Sequence, residues 1–463
     1  MGSSKLMSLV LRKISRRKFH NTASTSNWRD SIKEELNSKS SCLNESETVC
    51  IYKVPAHISQ VQPKAYKPSY ISIGPYHHGA LHLQAMEKLK FDFYCRLFDP
   101  VNGNNLDTVM DALEKLEDPR SFYLEDEVKN ISIEKFLSMM LIDGSFIIQL
   151  LKESEENQFK HIPSLKRWML PIIRRELIML ENQLPFSVLC KLFELTGNQI
   201  DSDKSDQTFY DLAIQFFNPL LQVHPRCNST KKMLVQEGHR GKPMHFLDLV
   251  RSSILPDRDP SKLKGEEPRG TQPYPIRSIT ELKEVGVKIK NGENRELLQI
   301  SFKRKFGLIV RELTIPPLYI NDHKGTLFRN MLAYEKCHKQ CNPDVTTYLF
   351  FFDGLINSAK DVALLHYKGV LHHSLGSNRK VAKFINNLCK ELVRDKDESY
   401  LYKVVDDANY YSGSFYARKR ASFVHYYLSS WVVGMSTIGA LFALYLTFIQ
   451  TASGIRWFFR RIE

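Results

Sequence analysis

The sequence predicts an α+β fold: a predominantly α-helical body carrying a small antiparallel sheet, followed by one C-terminal transmembrane helix. Three observations lead there. Apolar residues recur at helical spacing in several long segments of the 463 residues. Alternating, β-branched runs cluster between residues 286 and 313. From Ala421 to Ile455 no Asp, Glu, Lys or Arg occurs.

The helices come first. Residues 81–98 and 131–151 show helical spacing, and the second run is almost wholly apolar. Asp143 lies near its middle, which marks a central buried helix rather than a membrane span. Residues 164–196 are helical but broken by Pro171 and Pro185, since proline removes a backbone donor and clashes with the preceding turn. Residues 345–368 and 377–392 continue the pattern, and Ser278 with Glu281 forms a capping box ahead of a short helix.

Strand signals are fewer. Residues 70–73 make a short candidate before Gly74-Pro75. Residues 286–290, 297–303 and 308–313 make the sheet, and Asn291-Gly292 signals a hairpin between the first two. Breaks fall at the polar stretch 201–207 and at a Pro-rich charged loop near 256–275. The organisation expected is a basic disordered leader (1–45), one globular body (46–415), the membrane helix with its flanks (416–455) and a short basic tail (456–463).

The membrane helix is best framed by Leu428 and Thr451, with Trp431 near one interface and Leu441 at mid-span. At about 1.5 Å per residue this window spans roughly 36 Å, enough for a hydrocarbon core of about 30 Å with some tilt. The bilayer, met through residues 428–451, is therefore the first expected partner. Ser436-x-x-x-Ala440 and Gly439-x-x-x-Ala443 offer small faces for weak homo-association. Basic residues flank both ends, so charge does not set the orientation. No signal peptide is evident, and an anchor emerging last leaves the body in the cytosol, which predicts a tail-anchored, single-pass arrangement. The plasma membrane or an endomembrane is expected. Residues 5–29, basic and free of acids, give mitochondrial targeting as the alternative.

The formal charge of +14 first suggests nucleic acid as a partner. Its placement argues otherwise. Residues 1–29 hold seven Lys/Arg and no acid, residues 418–463 are net +5, and only +2 remains for the body between them. A duplex-binding body would carry a basic stripe, so nucleic-acid regulation is disfavoured. Eight cysteines show no disulfide framework and read as reduced thiols.

The standard catalytic signatures are missing: there is no G-x-S-x-G, H-E-x-x-H, G-x-G-x-x-G or Walker loop. No catalytic residue, metal or cofactor is assigned. His77 and His78, with His82 nearby, offer imidazoles but no accompanying carboxylate or thiolate. Cys337-His338-x-x-Cys341 offers three soft ligands without the second pair that structural zinc uses. Glu181-Asn182-Gln183, set between apolar runs, must find partners or face a groove. His77, His78, Asp143, Glu181, Asn182 and Gln183 are thus the candidate binding residues. An enzyme using the His77/His78 loop or Asp143 is the alternative to a binding module.

The same segments carry a family likeness. Ile51-Tyr52-Lys53-Val54-Pro55, Lys64-Ala65-Tyr66-Lys67-Pro68 and Ile71-Ser72-Ile73-Gly74-Pro75-Tyr76-His77-His78-Gly79 follow in order. Met86-Glu87-Lys88, Asp143-Gly144-Ser145-Phe146, Leu180-Glu181-Asn182-Gln183-Leu184-Pro185-Phe186 and Asn409-Tyr410-Tyr411 come after them. The series resembles the plant family called domain of unknown function 247, over about residues 48–452. The resemblance implies a plant origin, a mainly helical body and a single C-terminal span, with no established enzymatic activity and no catalytic residues to carry over. Some relatives are candidate pollen-side recognition determinants at grass self-incompatibility loci. The likeness thus points to a membrane-tethered recognition or signalling module with an unknown protein partner.

Overall fold

The computed structural model describes residues 48–98, 106–155, 165–196, 202–221, 242–255, 275–293, 296–305, 310–390, 392, 399–427 and 431–460. Contacts divide the chain after Val49, and the helices and strands of the body all belong to the unit spanning residues 50–463. The 1–45 leader, the 256–274 part of the Pro-rich loop and Leu428 lie outside the described residues.

The first half is helical. A 3₁₀ stretch, Leu81–Met86, leads into α1 (Glu87–Leu97), and α2 (Leu106–Glu114) follows. Next come α3 (Ile133–Glu155), α4 (Met169–Glu176), α5 (Phe186–Thr196), α6 (Ser202–Leu221) and α7 (Phe246–Ile254). Helix α3 packs against α1, α5 and α6. Gly144 lets α5 come close, because a Cβ there would stand 2.3 Å from a Leu192 methyl. Pro185 breaks the helical run as expected, but Pro171 does not. Pro171 falls in the first turn of α4, where its missing N–H costs nothing, and Pro185 immediately precedes α5. An aromatic cluster ties α5, α6 and α7 together, with Phe186 edge-on to Phe246 at 5.1 Å and to Phe209 at 5.6 Å.

The second half is mixed. A short helix α8 (Ile279–Glu284) starts at the Ser278/Glu281 capping box, as predicted. Strands β1 (Val287–Asn291), β2 (Ser301–Lys305) and β3 (Val310–Ile315) form one sheet in the order β1-β3-β2. Strand β4 (Leu318–Ile320) leads into α9 (Asp322–Cys337), and α10 (Asp344–Leu355) and α11 (Ala359–Tyr367) follow. Then β5 (Leu371–His373) pairs with β4, and α12 (Asn378–Leu388), α13 (Tyr402–Gly413) and α14 (Phe415–Tyr427) complete the body. Helix α9 is buried from Lys324 to Glu335 and touches α6, α7, α10 and α12.

The α+β class holds, with four local corrections. The sheet is mixed: β2 runs antiparallel to β3, but β1 runs parallel to it. Asn291-Gly292 therefore makes no hairpin. Gly292 N donates to Ile315 O at 2.9 Å and Asn291 Nδ2 to Gly369 O at 2.8 Å, so both serve pairings beyond their own turn. Residues 70–73 join no ladder, because side chains take up their backbone groups. The polar stretch 201–207 is no break, since α6 begins at Ser202.

The last helix, α15 (Trp431–Arg460), contains Met435–Trp457, the one stretch among the described residues long and apolar enough to cross a membrane. None of that window is buried, and Leu441 and Thr451 are both exposed. Thr451 returns its hydroxyl to Thr447 O at 2.9 Å, which satisfies it within the helix.

Candidate functional site

Asp143, Glu181, Asn182 and Gln183 come together about the turn between α4 and α5, His77 reaches Glu181, and His78 stays outside. This turn faces segment 52–78, in which residues 69–74 join no helix or strand. Side chains bind their backbone groups instead. Glu176, the last residue of α4 and fully buried, accepts from Ser69 N at 2.9 Å, Ser69 Oγ at 2.8 Å, Tyr70 N at 2.9 Å and Ile71 N at 2.8 Å. Asn182 continues the row. Its Oδ1 accepts from Ile73 N at 2.7 Å, and its Nδ2 donates to Ile71 O at 3.2 Å and Glu176 O at 3.0 Å. Asp143, reaching from α3, accepts from Gly74 N at 2.8 Å.

Gln183 braces the turn from behind. Its Nε2 donates to Leu177 O at 2.7 Å and Met179 O at 2.8 Å, and its Oε1 accepts from Leu247 N at 3.3 Å. Tyr123 Oη donates to Gln183 O at 2.9 Å. That carbonyl also leaves no room above Gly74, whose φ is +74° and where a Cβ would lie 2.7 Å from it. Glycine is required there by both conformation and space.

Further charged side chains join this clasp. Lys90 is fully buried and bridges Asp143 and Glu87, each at 2.7 Å. Burial pushes the Asp143 carboxyl above the usual range, with the Lys90 ammonium opposing. Glu181 Oε1 accepts from Val54 N at 2.8 Å. Its other oxygen stands 3.1 Å from His77 Nε2, outside hydrogen-bond alignment. Glu125, raised by burial, accepts from Lys53 N at 3.0 Å and from the Tyr76 hydroxyl.

The other imidazole candidates stand apart. His78 is exposed, and His82 contacts Pro68 O at 3.3 Å. His338, at the end of α9, meets the Tyr52 hydroxyl at 3.0 Å and stacks on Tyr334. Its neighbours Cys337 and Cys341 are pushed up to about 11 and about 12, chiefly by burial, so they stand as neutral thiols at pH 7. Among the described residues no group of three or more His, Cys, Asp or Glu is placed to hold a metal ion.

Sequence reasoning missed further members of this network. Glu335 on α9 accepts from Val345 N, Thr346 N and Thr346 Oγ at 2.7–2.9 Å and pairs with Arg251 Nε at 2.9 Å. Asn330 links Leu180 N and Ala65 O at 2.9 and 2.8 Å. Asp361 accepts from Thr280, Asn357 and Ser358. His245 caps α7 through Nδ1 and donates to Cys50 O, and burial lowers it to about 4. A polar residue inside a helical pattern looks solvent-facing, and only the tertiary fold shows these to be inside.

Taken together, a mainly helical body clasped by buried polar side chains and an apolar C-terminal helix define the class. The chain belongs to the DUF247 family, plant proteins of unknown function, whose pattern matches residues 51–446. It is 29% identical over 439 residues to UPF0481 protein At3g47200 of Arabidopsis thaliana, covering 88% of this chain and 87% of that protein. It is 24% identical over 493 residues to putative UPF0481 protein At3g02645 of the same plant, covering 88% and 90%. No solved structure matches the chain.

Proposed function

We propose that this chain is a membrane-tethered interaction protein, with α15 in the bilayer and the body on the cytosolic side, presented to a protein partner. The observation that carries the reading is the exposure of α15. Ile438, Leu441, Phe442, Leu444 and Phe448 are each more than half exposed. A contiguous apolar surface of that size marks a membrane or protein contact. The helix is long enough for the first.

The clasp supports the binding reading over the enzymatic one. Asp143 is 1% exposed and holds a lysine and a backbone amide, while Glu176, Asn182 and Gln183 hold backbone groups. These side chains are occupied in building the body, and a reacting group must be free to meet its substrate.

Leu441→Lys tests the tether. A lysine at mid-span costs on the order of 3 kcal/mol, so the variant should shift into the carbonate-soluble fraction while the parent chain stays with membranes. Equal retention of both would refute the anchor. Proximity labelling from the full chain tests the partner, and recovery of lipids and chaperones alone would refute that half of the reading.

A further inference from the structure

Helix α14 is bound to the body by one narrow stripe. Ala417 is buried and Ala421 and Val424 are half-buried, at the i, i+4, i+7 spacing of one helix face. The opposite face is aromatic and cationic. Phe415, Lys419 and Phe423 recur every four residues, with Tyr416 beside them. Phe415 is 68% exposed, Tyr416 86% and Phe423 47%. Lys419 Nζ lies 5.6 Å from the centre of the Phe415 ring. Arg418 flanks this face and is steadied by donating Nε to Gly413 O at 2.7 Å, while the Arg420 guanidinium lies over Gly286 of the body. From 415 to 427 the helix holds no acid.

The position of α14 says what meets that face. Three residues separate Tyr427 from Trp431, where the apolar helix starts. Four Cα steps reach at most about 14 Å. At about 1.5 Å per residue α14 is roughly 20 Å long, so its outer face can lie flat on the surface that α15 enters. Aromatic rings favour the headgroup layer, and Lys and Arg there favour anionic headgroups.

We propose that α14 lies on the bilayer surface and binds anionic phospholipid headgroups through Arg418 and Lys419, with Phe415, Tyr416 and Phe423 seated among them. The body is thereby held against the surface that α15 enters. This inference rests on the anchoring of α15 proposed above.

The test uses the full chain reconstituted into nanodiscs of phosphatidylcholine, with or without phosphatidylserine. Hydrogen exchange is followed in peptides covering 415–424. Each basic side chain near an anionic surface strengthens association roughly fivefold. Phosphatidylserine should therefore slow exchange in these peptides. Arg418→Ser with Lys419→Ser should weaken that protection by roughly 25-fold, while retention in the discs stays unchanged. Added salt should act in the same direction as the double variant. Equal exchange in both disc types, with the chain retained, would overturn this proposal and leave the anchor standing. So would protection that appears only on adding a cytosolic extract, because a protein would then be covering the face. Loss of the chain from carbonate-washed discs would overturn the anchor and this proposal together.

Discussion

Replacing Glu176 by alanine removes one acceptor group and leaves four donors without it. The cost can be worked donor by donor. Ile71 N is buried, while Ser69 N, Ser69 Oγ and Tyr70 N are partly buried. A buried donor stripped of its partner costs about 1–3 kcal/mol, and one that water can reach costs less. Taking the upper half of that range for Ile71 and under 1 kcal/mol for each of the others gives about 4 kcal/mol. Arg175 adds little, since its Nη2 lies 3.4 Å from the carboxylate. That loss is a large share of the 5–15 kcal/mol typical of a folded domain. Urea unfolding of the detergent-solubilised full chain measures it. Hydrogen exchange at Tyr70 and Ile71 shows whether the segment has come loose locally. Glu176→Gln keeps one oxygen, so it should lose about half as much. A loss under about 1 kcal/mol for alanine, or equal losses for the two variants, would refute the idea that this carboxylate fastens the segment.

Other outcomes follow from the same network. Gly74→Ala should destabilise by at least about 2 kcal/mol, because it adds a left-handed φ to a 2.7 Å contact with Gln183 O; an unchanged urea midpoint would contradict this. Lys324 is fully buried and donates to Leu220 O and Leu221 O, and burial lowers it to about 7. The unfolded chain then binds the extra proton between about pH 7 and pH 10, so stability should fall as pH drops from about 10 to about 7 and level off below that. Between pH 7.5 and 9 the gain is about 2 kcal/mol, and Lys324→Met should flatten it; parallel pH curves would refute the assignment. His245 stays neutral down to about 4, so its stabilisation is full above about 6.5 and lost as pH falls to about 4. That loss amounts to about 3 kcal/mol, and His245→Asn, which keeps the cap on α7, should remove it from the acid unfolding curve.

The fold was legible where periodicity and chain geometry speak alone. Residues 131–151 announced α3, Pro185 placed the break before α5, and Ser278 with Glu281 placed the start of α8. What failed was pairing. Alternation marks a strand but not its neighbour, so Asn291-Gly292 suggested a hairpin where β3 enters between β1 and β2. Helix α9 was illegible for another reason. Lys324, Arg329, Asn330 and Glu335 break its apolar pattern, yet all four are buried because each finds a partner inside. The candidate site shows both sides. Asp143, Glu181, Asn182 and Gln183 were found because polar groups among apolar ones need partners. Glu176 was missed, since the end of an amphipathic helix is an ordinary place for an exposed glutamate.

The buried acceptors explain why the likeness-bearing motifs look like chemistry and act as architecture. Segment 69–74 joins no strand and no helix, so its amides would be orphaned if packed against apolar side chains alone. Glu176, Asn182 and Asp143 answer those amides in sequence order, and Glu335 and Asp361 do the same at the starts of α10 and α11. Hydrogen bonds of this kind fix geometry, because each of these acceptors has one arrangement that serves its amides. The body is therefore held rigid by groups that are not free to react. What the body leaves exposed includes α14, which places aromatic and basic side chains close to where the apolar helix begins.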